Sequence, residues 1–122
     1  MYEQAILSYQ KAVRLKPDYA WAHNNLGLAL YQTGRPDDAL LEIGTALDLG
    51  LGNPEVLNNI GALYFKKGMT DKAIEYFLRA LFLAPRNAVS HYNLGVAYSG
   101  KGWEEKAEDH FRTAHQLDPG KY

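Results

Sequence analysis

An all-α fold of stacked antiparallel helix pairs, seven helices in all, is predicted by three features of this chain. The stretch Asn24-Asn25-Leu26-Gly27 returns as Asn58-Asn59-Ile60-Gly61 and again as Tyr92-Asn93-Leu94-Gly95, with its glycines evenly spaced. A fixed period of about 34 residues marks a repeat array, whose units bury their apolar faces against one another. Apolar residues also recur at helical spacing through every segment, and no strand-type alternation survives. Glycine and proline break the pattern at regular intervals.

The elements follow in chain order. Ala5, Ile6, Tyr9, Ala12 and Val13 form one stripe of a first helix over 2–16, which Pro17 stops. Asp18 is the expected cap of a second helix over 19–33, ended by Gly34. Pro36 opens a third at a favoured first-turn position. That helix carries Ala39, Leu40, Ile43, Ala46 and Leu47, and it stops in the turn-rich run Gly50-Leu51-Gly52-Asn53-Pro54. The same pattern predicts helices near 55–67 and 70–83, broken at Gly68 and Pro85. It then predicts helices near 88–100 and 104–117, broken at Gly102 and Pro119.

The register within the array shows how each pair packs. Twelve residues after the key glycines stand Ala39, Ala73 and Ala107. Sixteen after stand Ile43, Phe77 and Phe111, and nineteen after stand Ala46, Ala80 and Ala114. Small residues let two helix backbones approach, and a large one fills the space beside them. Projected backward, the register lands on Ala5, Tyr9, Ala12 and Pro17. The expected organisation is therefore a half-repeat over 1–19, made of a second helix only. Repeats over 20–53, 54–87 and 88–122 follow, the last with a polar terminal helix.

Leu26, Gly27, Leu30, Ala39, Ile43 and Ala46, with their two later copies, resemble the tetratricopeptide repeat. The family pattern is a 34-residue helix–turn–helix with W-x-x-L-G-x-x-Y…A-x-x-x-F…A…P, and the likeness covers nearly the whole chain. His23, Leu57 and His91 replace the leading Trp, and Leu51 replaces one closing Pro. The resemblance implies a right-handed superhelical solenoid with a concave groove, where extended peptides or partner helices lie.

The first helix of each repeat turns one side to its partner helix and the other to that groove. The groove set is Trp21, Asn24, Asn25, Leu28 and Gln32 in the first full repeat, with Tyr31 beside it. In the second it is Asn58, Asn59, Ala62 and Lys66 with Glu55, flanked by Phe65. In the third it is Tyr92, Asn93 and Val96 with Val89 and Gly100. Asn25, Asn59 and Asn93 stand in register. Asparagine is a mediocre residue inside a helix, so three in one column call for a reason. An amide offers both a donor and an acceptor and can pair with one peptide unit of an extended ligand, which is the role the resemblance implies. The other role open to these residues is bonding between neighbouring helices. Leu28, Ala62 and Val96, with Trp21 and Tyr92, suit either apolar ligand side chains or packing between repeats.

A subset of the family clamps a partner's C-terminal carboxylate with Lys, Asn, Asn, Lys and Arg on successive groove helices. The matching positions here are Asn24, Leu28, Asn59, Val89 and Asn93, so only Asn59 agrees and the cations are missing. The remaining composition excludes other classes. Lys and Arg number 13 against 14 Asp and Glu, far from the basic surface that nucleic-acid binding rests on. No apolar run approaches the ~18 residues of a membrane span, and no secretory signal is visible. The absence of cysteine fits either redox compartment, with the cytoplasm slightly favoured. No phosphate loop, nucleophile–base set or metal-ligand spacing can be built, so neither an enzyme nor a cofactor is expected. His23 and His91 fall on the packing side as structural histidines. Glu104, Glu105, Glu108 and Asp109 form a solvated acidic face.

The expected function is a non-enzymatic scaffold that binds a protein or peptide partner. The alternatives are the substrate-presenting repeat region of a larger enzyme, such as a glycosyltransferase, and a self-assembly module. Self-association would proceed through the apolar stripe of the first helix, which lacks a partner in this chain. The last helix has Glu108, Arg112, His115 and Gln116 where the fifth has Ile74, Leu78, Leu81 and Phe82, an apolar stripe expected to face the repeat that follows. The array is accordingly expected to end near Pro119.

Overall fold

The computed structural model describes residues 1–122 as seven α-helices with no strand. They are α1 (Tyr2–Leu15), α2 (Ala20–Gln32), α3 (Pro36–Asp48), α4 (Pro54–Lys66), α5 (Thr70–Leu83), α6 (Ala88–Gly100) and α7 (Glu104–Leu117). They group into two compact units, Met1–Gly52 and Asn53–Tyr122.

In the first unit α2 packs on both α1 and α3. Gly27 lies against Ile43 and the carbonyl oxygen of Ala39, with no room for a β-carbon. Ala39, Ile43 and Ala46 are wholly buried beneath it. On α1 the residues at the same register, Ala5, Tyr9 and Ala12, are only half-buried, while Ile6 is buried. The second unit joins α4 to α5, α5 to α6, and α6 to α7, and α4 also touches α6. A β-carbon on Gly61 would stand 2.5 Å from the Phe77 ring, and one on Gly95 would stand 2.6 Å from Phe111. The core of this unit gathers Ala73, Phe77, Leu94, Ala97, Tyr98 and Ala107, with Ile74 and Leu81 packed against it. Leu78 and Phe82 do not join them, and Phe82 is 86% exposed. Of the apolar α5 set expected to face a following helix, only the members seven apart do so.

The turns explain the punctuation. α2, α4 and α6 each end in a glycine with positive φ: Gly34 at 79°, Gly68 at 81° and Gly102 at 80°. In each turn the residue after the glycine donates to a carbonyl five back, as from Met69 to Tyr64 at 2.9 Å, which closes the helix end. Gly68→Ala forces an L side chain into this conformation and is expected to lower stability by ~1 kcal/mol. Gly44→Ala, inside α3 with open space around the added carbon, should raise it by ~0.5–1 kcal/mol. Thermal melts of the two variants moving in the same direction would contradict this account.

The N-terminal ends differ between units. Asn53 and Asn87 accept from the backbone N–H of Val56 and Ser90, at 2.9 and 3.1 Å, and cap α4 and α6. The cap of α2 is Tyr19, not Asp18, and no side chain bonds there. Tyr19 stands one repeat period before Asn53, so the capping position falls just past the aspartate.

Candidate functional site

In the first unit, Tyr2, Ala5 and Tyr9 of α1 meet Asn25, Leu28 and Ala29 of α2 around an open concavity of about 200 Å³. Trp21, one turn before Asn25, is 45% exposed, and Gln32 is exposed at the far end of the helix. In the second unit Asn59, Ala62 and Phe65 of α4 and Asn93 and Val96 of α6 are half-buried, with Lys66 exposed. Phe65 is committed to packing, since its ring lies 3.5 Å from where a β-carbon of Gly100 would be. Tyr92 is 40% exposed and stacks on Tyr122, with ring centroids 4.8 Å apart.

Two of the asparagines expected to line a groove lie inside the fold. Asn58 is 5% exposed. Its amide nitrogen donates to the Ser90 hydroxyl at 3.0 Å, and that hydroxyl donates back to the amide oxygen at 3.2 Å. Asn24 is 1% exposed, and neither end of its amide has a partner. The two sites therefore differ in sign. Asn58→Leu would strip a buried hydroxyl of its partner and is expected to cost ~1–3 kcal/mol. Asn24→Leu removes an unmet amide from the interior and should be neutral or stabilising. Denaturant melts of the pair check this, and a large loss at Asn24 would contradict it.

Asn25, Asn59 and Asn93 behave differently. They are half-buried, and the Asn59 amide nitrogen is shielded with no partner. No side-chain hydrogen bond within the fold engages Asn25 or Asn93.

His23 and His91 are buried on the packing side, and their side-chain partners Glu42 and His110 are what sequence reasoning missed. His23 Nε2 meets the Pro17 carbonyl at 2.7 Å, and its Nδ1 meets Glu42 Oε2 at 2.8 Å. Both partners accept, so the form of the ring that satisfies both is the charged one, which donates from both nitrogens. Burial pulls the His23 pKa down, but the Glu42 carboxylate and the Pro17 carbonyl outweigh it, and the pKa ends above 6.5. His91 repeats the arrangement, with Nε2 3.0 Å from the Pro85 carbonyl. Its Nδ1 faces His110 Nδ1 at 3.1 Å. Because Pro85 requires the proton on Nε2, His91 accepts at Nδ1 and His110 donates to it. Both contacts join the same two positions of the repeat, so the register of the array held the signal. No three His, Cys, Asp or Glu side chains converge as a metal site would need, and no helix is long and apolar enough to cross a membrane.

Family profiles decide the relationship. A profile described as TPR repeat matches residues 1–34, and profiles described as tetratricopeptide repeat match residues 54–87 and 88–121. The chain belongs to the tetratricopeptide repeat family. Residues 35–53, which hold α3 and the junction with Leu51 in place of Pro, fall between the matches. Solved tetratricopeptide structures share the fold. A crystal structure of MamA aligns with a TM-score of 0.90 at 25% identity, over 98% of this chain and 70% of that one. A second, of MamA protein, aligns at 0.87 and 27%, over 99% and 66%. YrrB, described as a TPR protein with an unusual peptide-binding site, aligns at 0.83 and 23%, over 98% and 62%. A search of curated protein sequences finds no match. Family and fold together support a protein-interaction scaffold built of tetratricopeptide repeats.

Proposed function

We propose that this tetratricopeptide chain is a non-catalytic scaffold that binds an extended peptide or partner helix of another protein, holding its backbone by asparagine amides. Asn25 would serve in the first unit, and Asn59 with Asn93 in the second. The observation that carries the reading is that these three residues, unlike Asn24 and Asn58, keep part of their surface open and make no side-chain hydrogen bond within the fold. A shielded amide nitrogen without a partner, as at Asn59, is a donor in want of an acceptor. Asn24 and Asn58 leave the expected set, since one is sealed from solvent and the other is bonded to Ser90. The concavity beside Asn25 is lined by Tyr2, Tyr9 and Leu28 and suits an apolar ligand side chain next to the held peptide unit. YrrB, which shares the fold, has a peptide-binding site of its own.

Selection from a random peptide library tests the reading. Peptides that bind the chain should lose affinity for Asn59→Ala and Asn93→Ala while tolerating changes at most of their own side chains. If no peptide is selected, or if the selected peptides bind the variants unchanged, the reading fails.

A further inference from the structure

We propose that acidification acts on the two histidine contacts with opposite sign, tightening the α2–α3 hairpin through His23 and Glu42 and loosening the α6–α7 hairpin through His91 and His110. The two contacts occupy one position of the repeat, as His23 and His91 are two periods apart and so are Glu42 and His110. What differs is the partner: a carboxylate in one, an imidazole in the other.

At the first contact the doubly protonated His23 ring satisfies Glu42 and the Pro17 carbonyl together. Deprotonation removes one donor and leaves the carboxylate facing a bare nitrogen. His23 therefore contributes stability that is fully present below its unfolded value of 6.5 and is lost as pH rises through its raised folded value. At the second contact the neutral pair is self-consistent, with His110 donating to His91. A proton added to His110 puts charge into a half-buried ring stacked on Tyr98 at 5.5 Å. Lys106, whose ammonium lies over that same Tyr98 ring, opposes the charge, and Asp109 only partly offsets it. A further proton on His91 Nδ1 would set two N–H donors against each other. Burial first, then electrostatic opposition from the His91 side and from Lys106, hold His110 below 6.5. Its contribution is present above 6.5 and is lost as pH falls below it. The windows adjoin, so the first hairpin gains as pH falls toward 6.5 and the second loses as pH falls further. In the middle repeat the two positions hold Leu57 and Tyr76, so α4–α5 has no such titrating pair of its own and should respond less than either neighbouring hairpin.

Amide hydrogen exchange across both windows, corrected for intrinsic rates, tests the proposal on the whole chain. Relative to α4–α5, protection of α2 and α3 should rise about threefold or more between pH 8 and 6.5. That of α6 and α7 should fall by a similar factor between pH 6.5 and 5, given tenfold per unit of pKa shift. His110→Glu rebuilds the His23–Glu42 arrangement and should reverse the response of α6–α7. His110→Tyr copies the residue found at Tyr76, should abolish the response, and serves if the glutamate variant does not fold. The two hairpins shifting in the same direction, or an α6–α7 response that survives His110→Tyr, would overturn the proposal.

Discussion

Ala73→Leu is expected to destabilise the chain by ~1–3 kcal/mol, the scale of overpacking in a closed core. Ala73 has no exposed surface. Its carbonyl oxygen lies 3.1 Å from where a β-carbon of Gly61 would stand, and Phe77 fills the other side of that crossing. Three more carbons have nowhere to go without parting α4 from α5. The helices of this unit share one core that runs from Ala73 through Leu94 to Ala107, so the disturbance should reach α6 as well. At about 3–6 °C per kcal/mol for a chain of this size, the melting temperature should fall by several degrees at least. Glu75→Leu, on the exposed side of α5, should stay within ~0.5 kcal/mol of the parent. A melting temperature for Ala73→Leu at or above that of the parent would remove Ala73 from the crossing.

The second large effect is on binding. Asn59→Ala should weaken a selected peptide by ~1–3 kcal/mol, about five- to 150-fold, because the peptide unit it held would be buried without a partner. Stability should hardly change, since the Asn59 amide makes no bond inside the fold. Asn58 next to it should show the reverse pattern, because its amide is spent on Ser90. A variant that unfolds together with its loss of affinity would place Asn59 among the structural residues.

The helices were legible in the sequence because each carries the same local chemistry three times: a glycine that must turn, a glycine that must be small, and alanines spaced to meet it. Gly27, Gly61 and Gly95 lie against Ile43, Phe77 and Phe111 as the register of sixteen implies. The groove was less legible. Asn58 and Asn59 are neighbours about 100° apart on one helix, and nothing in α4 itself says which of them α6 will cover. Ser90 decides that, from the first turn of a helix two elements further on. The His91–His110 contact escaped for a similar reason. Read along α7 alone, His110 has no partner at helical spacing; read across the repeat, it stands where Glu42 meets His23. Phe82 departed from expectation because α5 offers α6 a stripe narrower than its apolar content.

The central claim is that the asparagine amides hold a ligand's backbone and not its side chains. A double-mutant cycle between Asn59→Ala and replacement of single peptide linkages of a selected ligand by esters, which lack the N–H, tests it most directly. The claim predicts a coupling of ~1 kcal/mol or more at one linkage and none at the others. Additive losses at every linkage would contradict it.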